Sequence, residues 1–282
     1  MKLAQKLSIR YVKAKLHMIA LVSKKKAAKK ALKLFSTPML KPKIKPAPVF
    51  LRGRQLSFTV DDYTIRGHRW LPEHHPVKRI LILHGFESNS NKFSAYITAF
   101  LKKNYEVLSF DAPAHGESGG KQITLPLYIK TIREINRLFG PISSFMAHSF
   151  GGLALMHFIE EVPRSADLKI ALIAPATETK TAADNLFRLL ELDEEVRKEF
   201  DKLIFEIAGK PQEYFSIRRA MKNIDAPVFW AHDEEDDITP ITDVMNVKLD
   251  GHSNIQFFFT KGLGHRKIYR DEAVMESVVE FL

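Results

Sequence analysis

Three polar side chains, far apart along the chain, stand where a nucleophile, a base and an acid would be useful. The stretch "AHSFGG" (147–152) places Ser149 at the end of an apolar run and just ahead of Gly151-Gly152. A serine on a tight strand-to-helix turn is lifted clear of the sheet. The residues two before and two after it must be small so that strand and helix can approach. Ala147 stands where glycine would suit best and adds one methyl group. The same pattern fits a small residue in an ordinary turn, so Ser149 needs partners before it means chemistry. A free hydroxyl is a poor nucleophile at neutral pH and requires a base. His265 in "KGLGHRK" (261–267) follows the last apolar run and is the candidate. The base requires an acid that fixes its tautomer and balances its charge. "HDEEDDITP" (232–240) offers Asp233, Glu234, Glu235, Asp236 and Asp237 between the two. Asp236 is the expected acid, with Asp237 and Asp233 as alternatives. An anionic tetrahedral intermediate requires N–H donors. Phe150 supplies one, directly after the serine. Phe86 in "LHGFESN" (83–89) supplies a second, with Gly85 letting that loop turn close to the nucleophile. His84 reads as a core or loop-bracing residue without assigned chemistry.

Those residues need a frame. From about residue 54, "QLSFTV" and "YTIRGHRW" alternate around Asp61-Asp62 and predict an antiparallel hairpin. Short apolar runs then alternate with amphipathic stretches. Strands are expected at 79–85, 105–112, 142–149, 168–176, 226–232 and 254–260, and helices at 92–104, 127–139, 150–162 and 271–282. Such alternation predicts an α/β fold with a parallel sheet covered by helices on both faces. Residues 177–222 break it, reading as helices with no strand, and fit an insertion between two core strands.

With the frame in place, the chain resembles the α/β-hydrolase fold superfamily from about residue 54 to its end. "HGF" resembles the oxyanion-loop motif, and "DAPAHGES" (111–118) the D-x-x-G-H-G-x-S segment, with Ala114 replacing its usual glycine. "AHSFGG" resembles the nucleophile elbow. "HDEEDDITP" resembles the H-G-x-x-D-x-x-x-P acid loop, which in register puts the acid at Asp236 and leaves Asp233 where glycine is usual. "GLGH" resembles the histidine loop. The resemblance implies a mostly parallel sheet with an N-terminal antiparallel hairpin and a helical lid at about 177–222. It also implies a serine esterase or lipase-like enzyme using Ser149, Asp236 and His265, with Phe86 and Phe150 N–H groups as oxyanion hole. No metal or organic cofactor is required. The expected substrate is a small-molecule carboxylic ester or thioester. Leu186, Phe187, Leu189, Leu190, Leu203, Ile204, Phe205 and Ile207 are divided between core packing and an apolar acyl pocket. Transfer of the acyl group to another acceptor uses the same residues. A non-catalytic binding protein of this fold is disfavoured, because serine, acid and histidine are all present. A dehalogenase would carry Asp at the nucleophile position.

Charge divides the chain. Of 43 Lys and Arg, 16 fall in residues 1–60, and no Asp or Glu precedes Asp61. The rest carries 27 basic against 33 acidic residues, a net of −6. The domain reading is therefore a basic helical arm with a Pro-rich connector at 1–49 and a hydrolase domain at 50–282. Leu3, Leu7, Ala14, Met18 and Leu21 recur at helical spacing among lysines. In "KKKAAKKALKLF" (24–35), Ala27, Ala28, Ala31, Leu32 and Phe35 fall toward one side. Two expectations compete for residues 1–35: helices lying on an anionic membrane surface, or helices docked on the acidic body. A signal peptide fits poorly, because Lys13, Lys15 and His17 interrupt the apolar stretch. Nucleic-acid binding is disfavoured, since no aromatic interleaving accompanies the charge. The absence of Cys excludes disulfides, Cys-zinc sites and thiol catalysis. With no run of about 18 uncharged apolar residues, no transmembrane helix is expected, and the location is read as cytoplasmic, peripheral to a membrane if the arm binds one. Nothing in the sequence specifies the oligomeric state.

Overall fold

In a computed structural model, residues 3–39, 45–76, 78–163 and 165–282 are described, with side chains from Ile9 onward. Connector positions 40–44 and the side chains of Leu3 and Leu7 lie outside the described residues. The apolar runs fold as strands. β1 (Arg54–Val60) and β2 (Tyr63–Trp70) form the hairpin, with Asp61 turning it at φ +49°. β3 (Lys78–Leu83), β4 (Tyr105–Phe110), β5 (Ser144–His148), β6 (Lys169–Ile173), β7 (Val228–Asp233) and β8 (Ile255–Thr260) complete a single sheet. Its order is β1-β2-β4-β3-β5-β6-β7-β8. β2 meets β4 antiparallel, and every pair from β4 to β8 is parallel. Strands covered on both faces read as continuous apolar runs, and β4, β5 and β7 are buried at every position. The one charge inside β4, Glu106, accepts bidentate hydrogen bonds from Arg79, through Nε at 2.7 Å and Nη2 at 2.9 Å.

The helices are α1 (Leu3–Val22), α2 (Lys24–Ser36), α3 (Ser94–Lys102), α4 (Leu125–Phe139), α5 (Phe150–Ile159), α6 (Thr179–Leu190), α7 (Glu194–Ala208), α8 (Ile217–Ala220), α9 (Ile241–Leu249), α10 (Gly264–Lys267) and α11 (Glu272–Phe281). Local chemistry sets their ends. Thr124 caps α4 by accepting from Leu127 N–H, and Asp271 caps α11 by accepting from Val274 N–H. One sheet face, through Ile80, Ile82, Met146 and Phe229, packs with Tyr96 and Phe100 of α3 and Val274 and Val278 of α11. The alternate residues point the other way, and there α5 lies close enough that a Cβ on Gly152 would come within 3.5 Å of Leu172. Two short helices fall where loops were expected. α9 follows the acid loop with only Val244 and Val247 buried, and α10 holds His265 itself.

The chain divides into two compact units, and the boundary differs from the expected one. Residues 1–37 group with 178–215, and residues 38–177 with 216–282. The N-terminal helices and the insertion thus form one body, because they share an apolar core. Ala27, Ala28 and Ala31 of α2 are fully buried. They meet Val196, Phe200 and Leu203 of α7 and Ala183 and Phe187 of α6. Phe200 stands edge-on to both Phe35 and Phe187, at centroid separations of 5.7 and 5.1 Å. Small residues on α2 let the helices approach. Ser23 caps α2 across a one-residue break from α1, Asp193 caps α7, and Gly209 ends α7 in the left-handed region at φ +65°. Charge adds to the docking: Lys13 pairs with Glu191, and Lys24 with Asp193. His17 Nε2 lies 3.0 Å from the Leu190 carbonyl. Surface ion pairs contribute little, so the apolar contacts hold this unit.

Of the insertion residues expected to choose between core and acyl pocket, Phe187, Leu190 and Leu203 are buried, whereas Leu189, Phe205 and Ile207 are exposed. The α1 stripe read from the sequence is the outward one: Ala14, Met18 and Leu21 are exposed, and Leu16, Ile19 and Ala20 turn inward. Phe200→Ala should cost about 3–5 kcal/mol, the usual range for emptying a buried phenylalanine site. Hydrogen exchange should accelerate in α2, α6 and α7 while sheet amides stay protected. Loss of protection in the sheet instead would contradict the grouping of the arm with the insertion.

Candidate functional site

The residues named from the sequence follow the carboxyl ends of the parallel strands β3, β5, β7 and β8. β3 lies between β4 and β5, where the strand order reverses, and Leu83 pairs with Ala147. Such a reversal opens a crevice outside the strand ends. His84-Gly85-Phe86 leaves β3 beside Ser149, which leaves β5. Ser149 takes φ +55° and ψ −125°, a region disfavoured for any residue with a side chain. Its N–H donates to Ile173 O at 3.2 Å, and its carbonyl accepts from Ala176 N–H at 3.0 Å. Space is what selects the glycines here. A Cβ on Gly85 would fall 2.6 Å from Ser149 Cβ, and one on Gly151 would fall 2.6 Å from the His84 carbonyl.

Ser149, His265 and Asp236 are brought together as a hydrogen-bonded chain. Ser149 Oγ lies 2.9 Å from His265 Nε2, and His265 Nδ1 lies 2.8 Å from Asp236 Oδ2. Each of the three is under 10% exposed. The carboxylate accepts at Nδ1–H, which leaves Nε2 as the acceptor toward the serine hydroxyl. Asp236 also accepts from Thr239 N–H and Ile238 N–H at Oδ1 and from Thr239 Oγ–H at Oδ2. Burial alone would raise the Asp236 carboxyl. The hydrogen bond and charge of His265, with the two backbone N–H groups, outweigh it and hold the carboxyl below its ordinary range. The alternatives do other things. Asp237 is exposed. Asp233 is fully buried and turned to the histidine loop, accepting from Thr260 Oγ–H at 2.7 Å and Leu263 N–H at 3.0 Å.

The oxyanion-loop candidates sit on the same floor. Phe150 opens α5, and the N–H groups of a helix's first turn lack intrahelical partners. Phe86 follows Gly85, and its ring lies edge-on to those of Phe150 and His115. The loop is braced by the 111–118 segment. His115 Nε2 accepts from Glu87 N–H at 3.0 Å, and Asp111 Oδ1 accepts from Ser90 N–H and Oγ–H at 2.8 Å. His84 Nε2 accepts from Ala112 N–H at 2.9 Å, so the histidine braces the loop. Ala114, where glycine is usual, sits at φ +65°. Among the described residues, no group of three or more His, Cys, Asp or Glu is placed to hold a metal.

Sequence reasoning passed over His148, the neighbour of the serine. Its ring lies 4.8 Å from that of His265 and 4.8 Å from that of Tyr269, and its Nε2–H donates to the His265 carbonyl at 3.2 Å. The only signal was position, a residue flanking Ser149 inside a buried strand. Its Nδ1 finds no partner among the described residues. Burial, then the neighbouring His265 charge, lowers its pKa to about 3. The sign follows. Between an unfolded pKa of about 6.5 and about 3, the unfolded chain binds the proton and the folded one does not. Stability is therefore complete above that window and falls as pH drops through it. His148→Gln keeps a donor and cannot be protonated. Between pH 7 and 4.5 the native protein should lose about 2–3 kcal/mol more than this variant in urea unfolding. Equal losses would remove His148 as a source of acid sensitivity.

The family model for serine aminopeptidase, S33, matches residues 74–207, just under half of the chain. Est1E of Butyrivibrio proteoclasticus, solved with ferulic acid bound, is 19% identical. The alignment covers 80% of this chain and 97% of that one, with a TM-score of 0.63. An esterase of Pyrococcus furiosus is 18% identical over 88% of this chain and 97% of its own, also at 0.63. The thioesterase domain from the curacin biosynthetic pathway is 14% identical over 80% and 99%, at 0.59. No curated protein sequence matches the chain. These matches support a hydrolase of the α/β fold. The sheet order, the strained turn after β5, the loops at the strand ends and these likenesses together give the chain the α/β-hydrolase fold.

Proposed function

We propose that the chain is a serine hydrolase that cleaves a carboxylic ester or thioester through an acyl-enzyme on Ser149. The observation that carries this reading is the continuous hydrogen-bonded chain from Ser149 Oγ through His265 to Asp236. In the acylation step, His265 Nε2 takes the hydroxyl proton as Ser149 Oγ attacks the acyl carbon. Asp236 holds the ring in the tautomer that leaves Nε2 bare and balances the imidazolium that forms. The tetrahedral oxygen is met by the N–H groups of Phe150 and Phe86, the first strengthened by the dipole of α5. His265 then returns the proton to the departing alkoxide or thiolate. Water, deprotonated by the same nitrogen, attacks the acyl carbon; the bond to Ser149 Oγ breaks, His265 returns the proton to that oxygen, and the acid leaves. The chain's own side chains and backbone supply every group these steps use. Two structural neighbours are a thioesterase domain and an esterase, which fits an acyl carbonyl as the reacting centre.

Ser149→Ala should abolish labelling by a fluorophosphonate and lower ester turnover by at least about a thousandfold, with unchanged thermal unfolding. If the variant still labels at the native rate, the nucleophile is elsewhere. Asp236→Asn should cost about 10²- to 10⁴-fold in kcat, as loss of the orienting acid does in such triads. Asp237→Asn should be nearly silent, and Asp233→Asn intermediate, through the loop that carries His265. Gly85→Ala should lower kcat/KM by about a hundredfold, because its methyl displaces the nucleophile. A panel of p-nitrophenyl esters of graded acyl length, a thioester and an aminoacyl amide then orders the substrates. Preference for the amide would replace the ester reading with a peptidase one.

A further inference from the structure

The arm helix α1 is apolar on two sides, and only one of them is used within its unit. Ala20 is buried there with Ile19 packed beside it, and Leu16 is buried on the same side of the helix. On the other side Tyr11, Met18, Leu21 and Val22 are 67%, 63%, 88% and 82% exposed. At 3.6 residues per turn these four and Ala14 fall within an arc of about 100°. Arg10 borders that stripe on one side and Lys15 on the other, and both are exposed. The helix continues through Ser23 into α2, whose buried alanines leave Lys25, Lys26, Lys29 and Lys33 exposed on its opposite side. Among the described residues, none of these six cations forms an ion pair with a carboxylate, unlike Lys13 and Lys24. No helix of the described residues is long and apolar enough to cross a membrane.

We propose that this outward face of α1, with the lysines of α2, docks in the plane of an anionic phospholipid surface. An interfacial helix combines an apolar stripe that enters the acyl boundary with cations that meet the headgroups. Here the stripe is presented while the opposite side stays packed, so docking needs no unfolding of the unit. The other occupants fit less well. A second copy would set the same cations face to face around a shared stripe. A nucleic acid would neutralise the lysines and leave Leu21, Val22 and Met18 in water.

Co-sedimentation of the full chain with vesicles tests this. Vesicles of phosphatidylcholine containing one-third phosphatidylglycerol should carry the protein down at low salt, and vesicles of phosphatidylcholine alone should not. Binding should fall as salt screens the headgroups. Leu21→Glu/Val22→Glu and Lys25→Glu/Lys26→Glu should each weaken anionic-vesicle binding at least tenfold. Because all four positions are exposed, thermal unfolding and turnover of a soluble ester should stay unchanged. The proposal is overturned if the native protein stays in the supernatant at low salt, binds neutral vesicles equally, or keeps its affinity in both variants. A dimer dissolved by Leu21→Glu/Val22→Glu, without vesicle binding, would give the face to a second copy. Duplex DNA binding lost only in Lys25→Glu/Lys26→Glu, again without vesicle binding, would give it to nucleic acid.

Discussion

The backbone of Ser149 occupies a conformation, φ +55° and ψ −125°, that costs roughly 1–3 kcal/mol and lasts only where the surroundings over-determine it. Both of its backbone polar groups are committed to the end of β6 and the residues just beyond, through Ile173 O and Ala176 N–H. β5 is pinned on either side by β3 and β6, so the turn has no freedom to relax sideways. Much of the surrounding composition follows from that constraint. Gly85 is glycine because the β3 loop must pass Ser149 Cβ, and Gly152 because α5 must lie on Pro175. The strain and the sheet register are thus two aspects of one arrangement, in which a short side chain is projected from the sheet to meet loops from other strands.

The acid loop divides its carboxylates by what each can reach. Asp236 is enclosed with His265, while Asp233, the last residue of β7, ties down Thr260 and Leu263. Buried histidines complete the surroundings. His84, His148 and His232 all have lowered pKa values, first because burial disfavours their charged forms. His232 lies 3.8 Å from Asp236, but a neutral ring makes no ion pair, and its Nε2–H donates to Thr239 O instead. One ionised carboxylate therefore faces one histidine at hydrogen-bond distance, with no second cation to draw its charge away. That is the electrostatic arrangement on which the proposed proton transfer from Ser149 to His265 rests.

Most of the sheet and the meeting of Ser149, His265 and Asp236 were legible because each rests on local pattern. Continuous apolar runs mark strands covered on both faces, and the loops after them carry the polar residues in a fixed order. What escaped depended on distant partners. α9 buries only Val244 and Val247, too few to set a helical period against the acidic run before it. His148 reads as one more strand residue until its ring is seen over His265. Asp233 could be weighed against Asp236 only by register, because both are acids in one short loop. The unit boundary was hidden for the same reason: an alanine-rich, lysine-rich helix gives no sign of which body its small face will meet.

α1 shows how two apolar faces on one helix resist a sequence reading and then inform it. Periodicity finds a stripe through Ala14, Met18 and Leu21, yet the partner helices cover the opposite one, through Ile19 and Ala20. The alanines of α2 explain the choice, since they allow close approach on a side where lysines would otherwise have to be buried. Charge divides in the same way. Residues 178–215 hold ten acidic against six basic residues, and residues 1–37 hold eleven basic and no acidic ones. Docking the arm on the insertion satisfies Lys13 and Lys24, but the acidic excess there is smaller than the basic excess it meets. A unit assembled this way closes its apolar core and remains cationic on the outside, beside a stripe that its own packing leaves bare.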